Sequence, residues 1–106
     1  MSGTILEDIH RQVLGDQTRL TLHAHQEMVA EWFSLEDVYN GLLHGVILEN
    51  YPEHRRGPCC LVAGTTTVGR PIHIVCTTSL SLLMIITVYE PLPPKWATPE
   101  TRRKLP

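Results

Sequence analysis

Gly69-Arg70-Pro71-Ile72-His73-Ile74-Val75 and, after a polar break, Leu83-Met84-Ile85-Ile86-Thr87-Val88-Tyr89-Glu90-Pro91 decide the fold of this 106-residue chain. Both runs are rich in β-branched residues and read as strands, and the Thr77-Thr78-Ser79 cluster between them suits a hairpin loop. Because successive strand side chains alternate sides, Ile72, Ile74 and Cys76, with Met84, Ile86 and Val88, are expected to form the row that packs against helices. His73, Val75 and Thr77, with Ile85, Thr87 and Tyr89, then take the other side. Arg70 stands at the strand entrance, just before Pro71. A sheet face that mixes polar and apolar groups suits a ligand.

Working outward, two more strands are expected at 46–51 and 59–63, separated by the polar loop Pro52-Glu53-His54-Arg55-Arg56-Gly57-Pro58. The first half of the chain is helical. Thr4-Ile5-Leu6-Glu7 reads as a capping box, Ile5, Ile9 and Val13 give one apolar stripe, and Gly15 can end the helix. A short strand is expected at 18–22 and a second helix at 25–33, where Met28 and Trp32 lie one turn apart. Ser34 caps a third helix, with Glu36 and Asp37 in its first turn and Leu35, Val38 and Leu42 expected on its apolar face, running to Gly45. Helices first and antiparallel strands second predict an α+β domain, with N-terminal helices packed on one face of a four- to five-stranded, mainly antiparallel sheet. Residues 1–98 are expected to form that single domain and 99–106 a basic, flexible tail.

Composition narrows the functional classes. The apolar run from Leu80 to Val88 is far shorter than the roughly twenty residues a membrane span needs, and the N-terminus lacks the order of a secretory signal, so no membrane association and a cytoplasmic location are expected. Three cysteines, two of them adjacent, resemble neither a disulfide framework nor a metal knuckle. The net charge of −2 hides a strong asymmetry. Residues 1–53 carry nine acidic and two basic side chains, whereas residues 54–106 carry two acidic and seven basic, giving −7 and +5. An anionic ligand site in the second half is compatible with an acidic total.

His73 and Tyr89, together with arginines, are the residue types needed to cleave a phosphodiester by the RNA's own 2′-hydroxyl. A group titrating near neutrality moves protons while cations stabilise the phosphorane, and no metal or other cofactor is required. Arg55 and Arg56 offer guanidinium forks that match phosphate. His23-Ala24-His25, followed by Glu27 and Glu31, has donors and spacing for an alternative metal site, since a strand would present both imidazoles on one face and His73 could complete a zinc or nickel site.

The order His23-Ala24-x-x-Glu27-Met28, Leu35-Glu36-Asp37-Val38, Tyr51-Pro52, Arg56-Gly57-Pro58, Gly69-Arg70-Pro71-Ile72-His73 and Ile86-Thr87-Val88-Tyr89-Glu90-Pro91 resembles a family of small bacterial proteins described only as a domain of unknown function. Members of that family look like the RelE/ParE toxin superfamily and are often encoded beside a small zinc-finger and helix-turn-helix antitoxin. The resemblance implies a RelE-like fold and the toxin of a type II toxin–antitoxin pair, an endoribonuclease that cleaves mRNA, ribosome-bound or free. Carried over by position, His23, Arg56, Arg70, His73 and Tyr89 are the expected catalytic residues. Arg55, Lys95, Arg102 and Arg103 would guide the RNA by phosphate contacts. The alternative is a non-enzymatic binding module, or a toxin of the same fold acting on a protein target. In either case an antitoxin is expected to cover the basic edge.

Overall fold

The computed structural model describes residues 4–55, 57–78, 81–93 and 96–102, the last of these, Arg102, by its backbone. Three helices precede the main sheet strands, as the sequence predicts: α1 (Ile5–Leu14), β1 (Thr18–Leu20), α2 (Leu22–Glu31), α3 (Leu35–His44), β2 (Val46–Tyr51), β3 (Cys59–Thr65), β4 (Pro71–Thr77) and β5 (Leu83–Tyr89). A further pair, β6 (Trp96–Thr98) and β7 (Thr101–Arg102), forms a small antiparallel ladder and straddles position 99, where the sequence suggested a tail to begin.

Local chemistry accounts for the helix boundaries. Thr4 caps α1 by accepting the Glu7 N–H, and Thr21 caps α2 by accepting that of Ala24. Ser34 and Asp37 form a reciprocal capping box on α3, which holds the Asp37 carboxyl below its ordinary range, chiefly through the Ser34 backbone N–H. The cap at Thr21 starts α2 at Leu22, three residues earlier than the sequence predicts.

The sheet order is β1-β5-β4-β3-β2, antiparallel except that β1 runs parallel to β5. The helices bury one face of it. Ile9, Val13, Ala24, Met28, Phe33, Val38 and Leu42 meet Cys60, Val62, Ile72, Ile74, Cys76, Leu83, Ile85 and Val88 in a single core. Each fully buried aliphatic side chain there contributes about 1.5–3 kcal/mol. The approach of α3 to the sheet is unusually close. A Cβ on Gly41 would lie 2.8 Å from Ile72 Cγ2, and one on Gly64 would collide with the Gly41 backbone. Paired glycines therefore set the distance between helix and sheet.

The core row is as expected on β4 but shifts on β5. Val75 pairs with Thr87 and Cys76 with Ile85, so Ile86 is the extra residue of a β-bulge. One added residue reverses the alternation. Before the bulge Leu83 and Ile85, rather than Met84 and Ile86, face the helices, while Val88 after it keeps the expected side.

Candidate functional site

The expected catalytic residues fall into two groups. His73 and Tyr89 are direct cross-strand neighbours on β4 and β5, on the sheet face away from the helices. His73 is fully buried there. Its Nε2 lies 2.5 Å from the Pro99 carbonyl, and since a carbonyl only accepts, Nε2 carries the proton. In the neutral imidazole Nδ1 is then the lone-pair nitrogen and accepts the Tyr89 hydroxyl at 3.2 Å. Trp96 stands edge-on over the imidazole, with ring centroids 4.4 Å apart at 88°, and the Tyr89 ring is 5.3 Å away at 66°. The β6–β7 hairpin thus seals the histidine, supplying Trp96 from its first strand and the Pro99 carbonyl from its turn.

Arg70 belongs to the helical side. Its Nε donates to Glu90 Oε1 at 2.6 Å and its Nη1 to the Glu31 carbonyl at 2.6 Å, while the guanidinium lies 4.0 Å above the Phe33 ring. An ion pair, the C-terminal carbonyl of α2 and an aromatic face occupy the cation together. His23, exposed on the first turn of α2, pairs with Glu27 at 3.3 Å.

Glu27 and Glu31 have a role that the sequence reading missed. Strand β1 ends at Leu20, so the second half of β5 would expose an open edge. Thr21 continues the ladder, donating its N–H to the Ile85 carbonyl and its hydroxyl to the Ile86 carbonyl. Glu27 then accepts the Val88 N–H at 2.9 Å and Glu31 the Glu90 N–H at 3.2 Å. Two carboxylates one helical turn apart thereby satisfy alternate amides, one in β5 and one just past its end, which spares the edge from pairing with another chain. The four-residue spacing of Glu27 and Glu31 was the available signal.

The HxH alternative is corrected, because His23 and His25 lie on α2 rather than on a strand. Residues two apart on a helix do not share a face. Among the described residues no group of three or more His, Cys, Asp or Glu side chains could hold a metal ion. Trp32 also departs from expectation. Met28 is buried, but Trp32 is 89% exposed, since the chain turns left-handed at that residue (φ 60°, ψ 37°) and leaves the helix. Of the residues expected to contact RNA, Arg55 is exposed in the turn after β2, and Arg102 contributes backbone to β7. Arg56, Lys95 and Arg103 lie outside the described residues.

Cys59, Cys60 and Cys76 are buried, and none of them is in a disulfide. Cys60 and Cys76 pair across β3 and β4 with their sulfurs 4.0 Å apart, and the Cys76 thiol is pushed well above its ordinary range, first by this contact and then by burial. The same contact lowers the Cys60 thiol, and with both side chains fully buried they serve as apolar filling.

An α+β domain with a mixed five-stranded sheet, its helices on one face and a small hairpin sealing part of the other, is the class these features define. Residues 20–90 match the model of the family described as Domain of unknown function (DUF4258), and the chain belongs to that family. The match includes α2 to β5, with His23, Arg70, His73 and Tyr89, and leaves out α1 and the β6–β7 hairpin. No curated protein and no solved structure matches the chain. No helix among the described residues is long and apolar enough to cross a membrane.

Proposed function

We propose that this domain acts by binding a protein partner and that the residues expected to cleave RNA serve the fold instead. The observation that carries this reading is the state of His73. A general base needs an available lone pair within reach of the substrate, and this imidazole is buried with its Nδ1 lone pair on Tyr89 and its Nε2 proton on Pro99. Arg70, the expected phosphate ligand, is already neutralised by Glu90. The partner is then the antitoxin of a two-gene pair or a cellular protein target, and the cytoplasm is the compartment this reading implies.

One observation favours a second reading, in which the chain is an mRNA-cleaving toxin of RelE-like fold. His73 and Tyr89 do meet at 3.2 Å, and their cover is a short hairpin rather than the main core. Lifting that hairpin would bare a proton-transfer pair. Controlled expression in a bacterial host separates the two, with growth and global RNA 5′ ends followed for the wild type and Tyr89→Phe, which keeps the ring and removes the hydroxyl. Under the binding reading neither protein generates new 5′ ends, whatever happens to growth. New ends with the wild type that vanish with Tyr89→Phe would overturn it in favour of the nuclease.

A further inference from the structure

We infer that His73 and Tyr89, on the sheet face away from the helices, form a receptor for a protein segment that brings a tryptophan ring and, three residues on, a backbone carbonyl. This chain's own β6–β7 hairpin occupies the receptor until a partner segment of the same chemistry replaces it. The inference rests on the protein-binding reading and gives it a place and a ligand.

The ligand's chemistry is visible in the segment already seated there. The Trp96 ring meets the imidazole edge-on at 4.4 Å, and the Pro99 carbonyl accepts the Nε2 proton at 2.5 Å. Trp96 is 2% exposed, whereas Ala97, Thr98, Glu100 and Thr101 around it are exposed. One buried aromatic anchor between solvated flanks is how a bound peptide holds to a protein. The receiving row belongs to the main sheet, where Ala63, His73 and Tyr89 stand in register across β3, β4 and β5. The hairpin does not, since β6 and β7 pair only with each other, in a separate ladder of three and two residues. A ladder that short is marginal by itself, and a region with few buried side chains opens at a lower free energy than the core. The family match divides the molecule at the same point. It takes in His73 and Tyr89 and ends at residue 90, before the hairpin.

The receptor's own groups select a peptide. With Nδ1 accepting the Tyr89 hydroxyl, neutral His73 offers one donor, the Nε2 proton, which a neutral carbonyl satisfies. A phosphate backbone would need a cation, and the neutral histidine and tyrosine supply none, while Arg70 is paired with Glu90 on the helical side. An added strand is excluded at this place, because β4 is already flanked by β3 and β5. Competition then sets the affinity. A tethered segment acts at an effective concentration of about 1 mM, so a partner that only copies the hairpin displaces it poorly, and a productive partner adds contacts beyond the anchor.

The probe is the synthetic peptide Trp-Ala-Thr-Pro-Glu-Thr-Arg, the sequence of residues 96–102 with blocked ends. The chain has two tryptophans, so the double variant Trp32→Gly/Trp96→Ala has none and the peptide's indole alone fluoresces. The expected result is a blue shift and protection from acrylamide as the peptide seats, together with shifts of the His73 ring resonances. By calorimetry its affinity should be at least about tenfold above that for Trp32→Gly, whose own Trp96 competes, and at least about tenfold above that of a peptide with alanine in place of tryptophan. Trp32→Gly/Trp96→Phe keeps a smaller ring in the seat and should fall between the two; it carries the test if circular dichroism shows the alanine variant unfolded. No saturable binding by a folded variant at about 1 mM peptide, equal binding of the alanine peptide, or equal affinity of the single and double variants would overturn the inference. So would a dimer of Trp32→Gly in sedimentation equilibrium that Trp96→Ala abolishes, because the hairpin of a second copy would then be the occupant. With RNA intact in the expression test, those failures remove this receptor and leave the protein-binding reading standing; new RNA ends remove the reading itself.

Discussion

The face of the sheet around His73 and the outer face of α2 invert the usual relation between residue type and exposure. On the first, a histidine and a tryptophan with polar ring atoms are sealed at 0% and 2% exposure. On the second, Leu22, Val29 and Trp32 stand in water. The first is a polar cluster that folding has consumed, with each ring nitrogen of the histidine given a partner. The second carries apolar side chains that folding has left in water. A list of chemically capable side chains points to the former, whereas an account of unspent interaction energy points to the latter.

The strongest way to break this contrast is His73→Ala. Deleting the ring opens a cavity beneath Trp96 and removes the bonds His73 makes to the Tyr89 hydroxyl and the Pro99 carbonyl, so a loss of about 3 kcal/mol or more is expected in urea unfolding. A loss under about 0.5 kcal/mol would mean that the histidine is not structural, and the catalytic reading would regain its footing. Arg70→Met comes next. It keeps much of the stem but removes the ion pair with Glu90, the bond to the Glu31 carbonyl and the contact with Phe33, for an expected loss of about 2 kcal/mol. Arg70→Lys should recover less than half of that, because an ammonium cannot reach two acceptors in a fixed fork while lying flat on a ring. Full recovery by lysine would show that only the charge matters at this site, and a role in phosphate binding would again be reasonable.

How much of this was legible in the sequence depends on the range over which each signal acts. Helix caps are local, and Thr4, Ser34 and Gly45 mark their boundaries within a few residues. Strand alternation is local too, and it places Ile72, Ile74 and Cys76 in the core correctly. The bulge at Ile86 escapes because a single extra residue in a run of apolar side chains leaves no mark in composition, yet it reverses which of Leu83, Met84 and Ile85 faces inward. The sealing of His73 escapes for a different reason. It depends on Trp96 and Pro99, residues more than twenty positions away in a proline-rich stretch without alternation, and no spacing rule connects them to β4. Of the candidate site, the sequence therefore yields the meeting of His73 with Tyr89 across the hairpin but neither its cover nor the commitment of Arg70 to Glu90. Trp32 is a subtler case. Its distance from Met28 fits a shared helical face, and only the left-handed backbone at Trp32 itself sends the two side chains apart.

That residue gives the sharpest form of the contrast, and the smallest effect. Trp32→Gly removes a side chain with little burial to lose and relieves a positive φ, while the Phe33 N–H still reaches the Met28 carbonyl to close the helix end. Glycine's greater freedom in the unfolded chain offsets part of the gain. The net expectation is a stability equal to the wild type or higher by up to about 1 kcal/mol, read as a small upward shift of the urea midpoint at constant slope. A loss of more than about 1 kcal/mol would mean that the indole contributes to the fold, and the α2 face would cease to be a surface held in reserve. A neutral or stabilising outcome, set beside the large loss at His73, would show that the conspicuous aromatic is dispensable to the fold and the would-be catalyst is not.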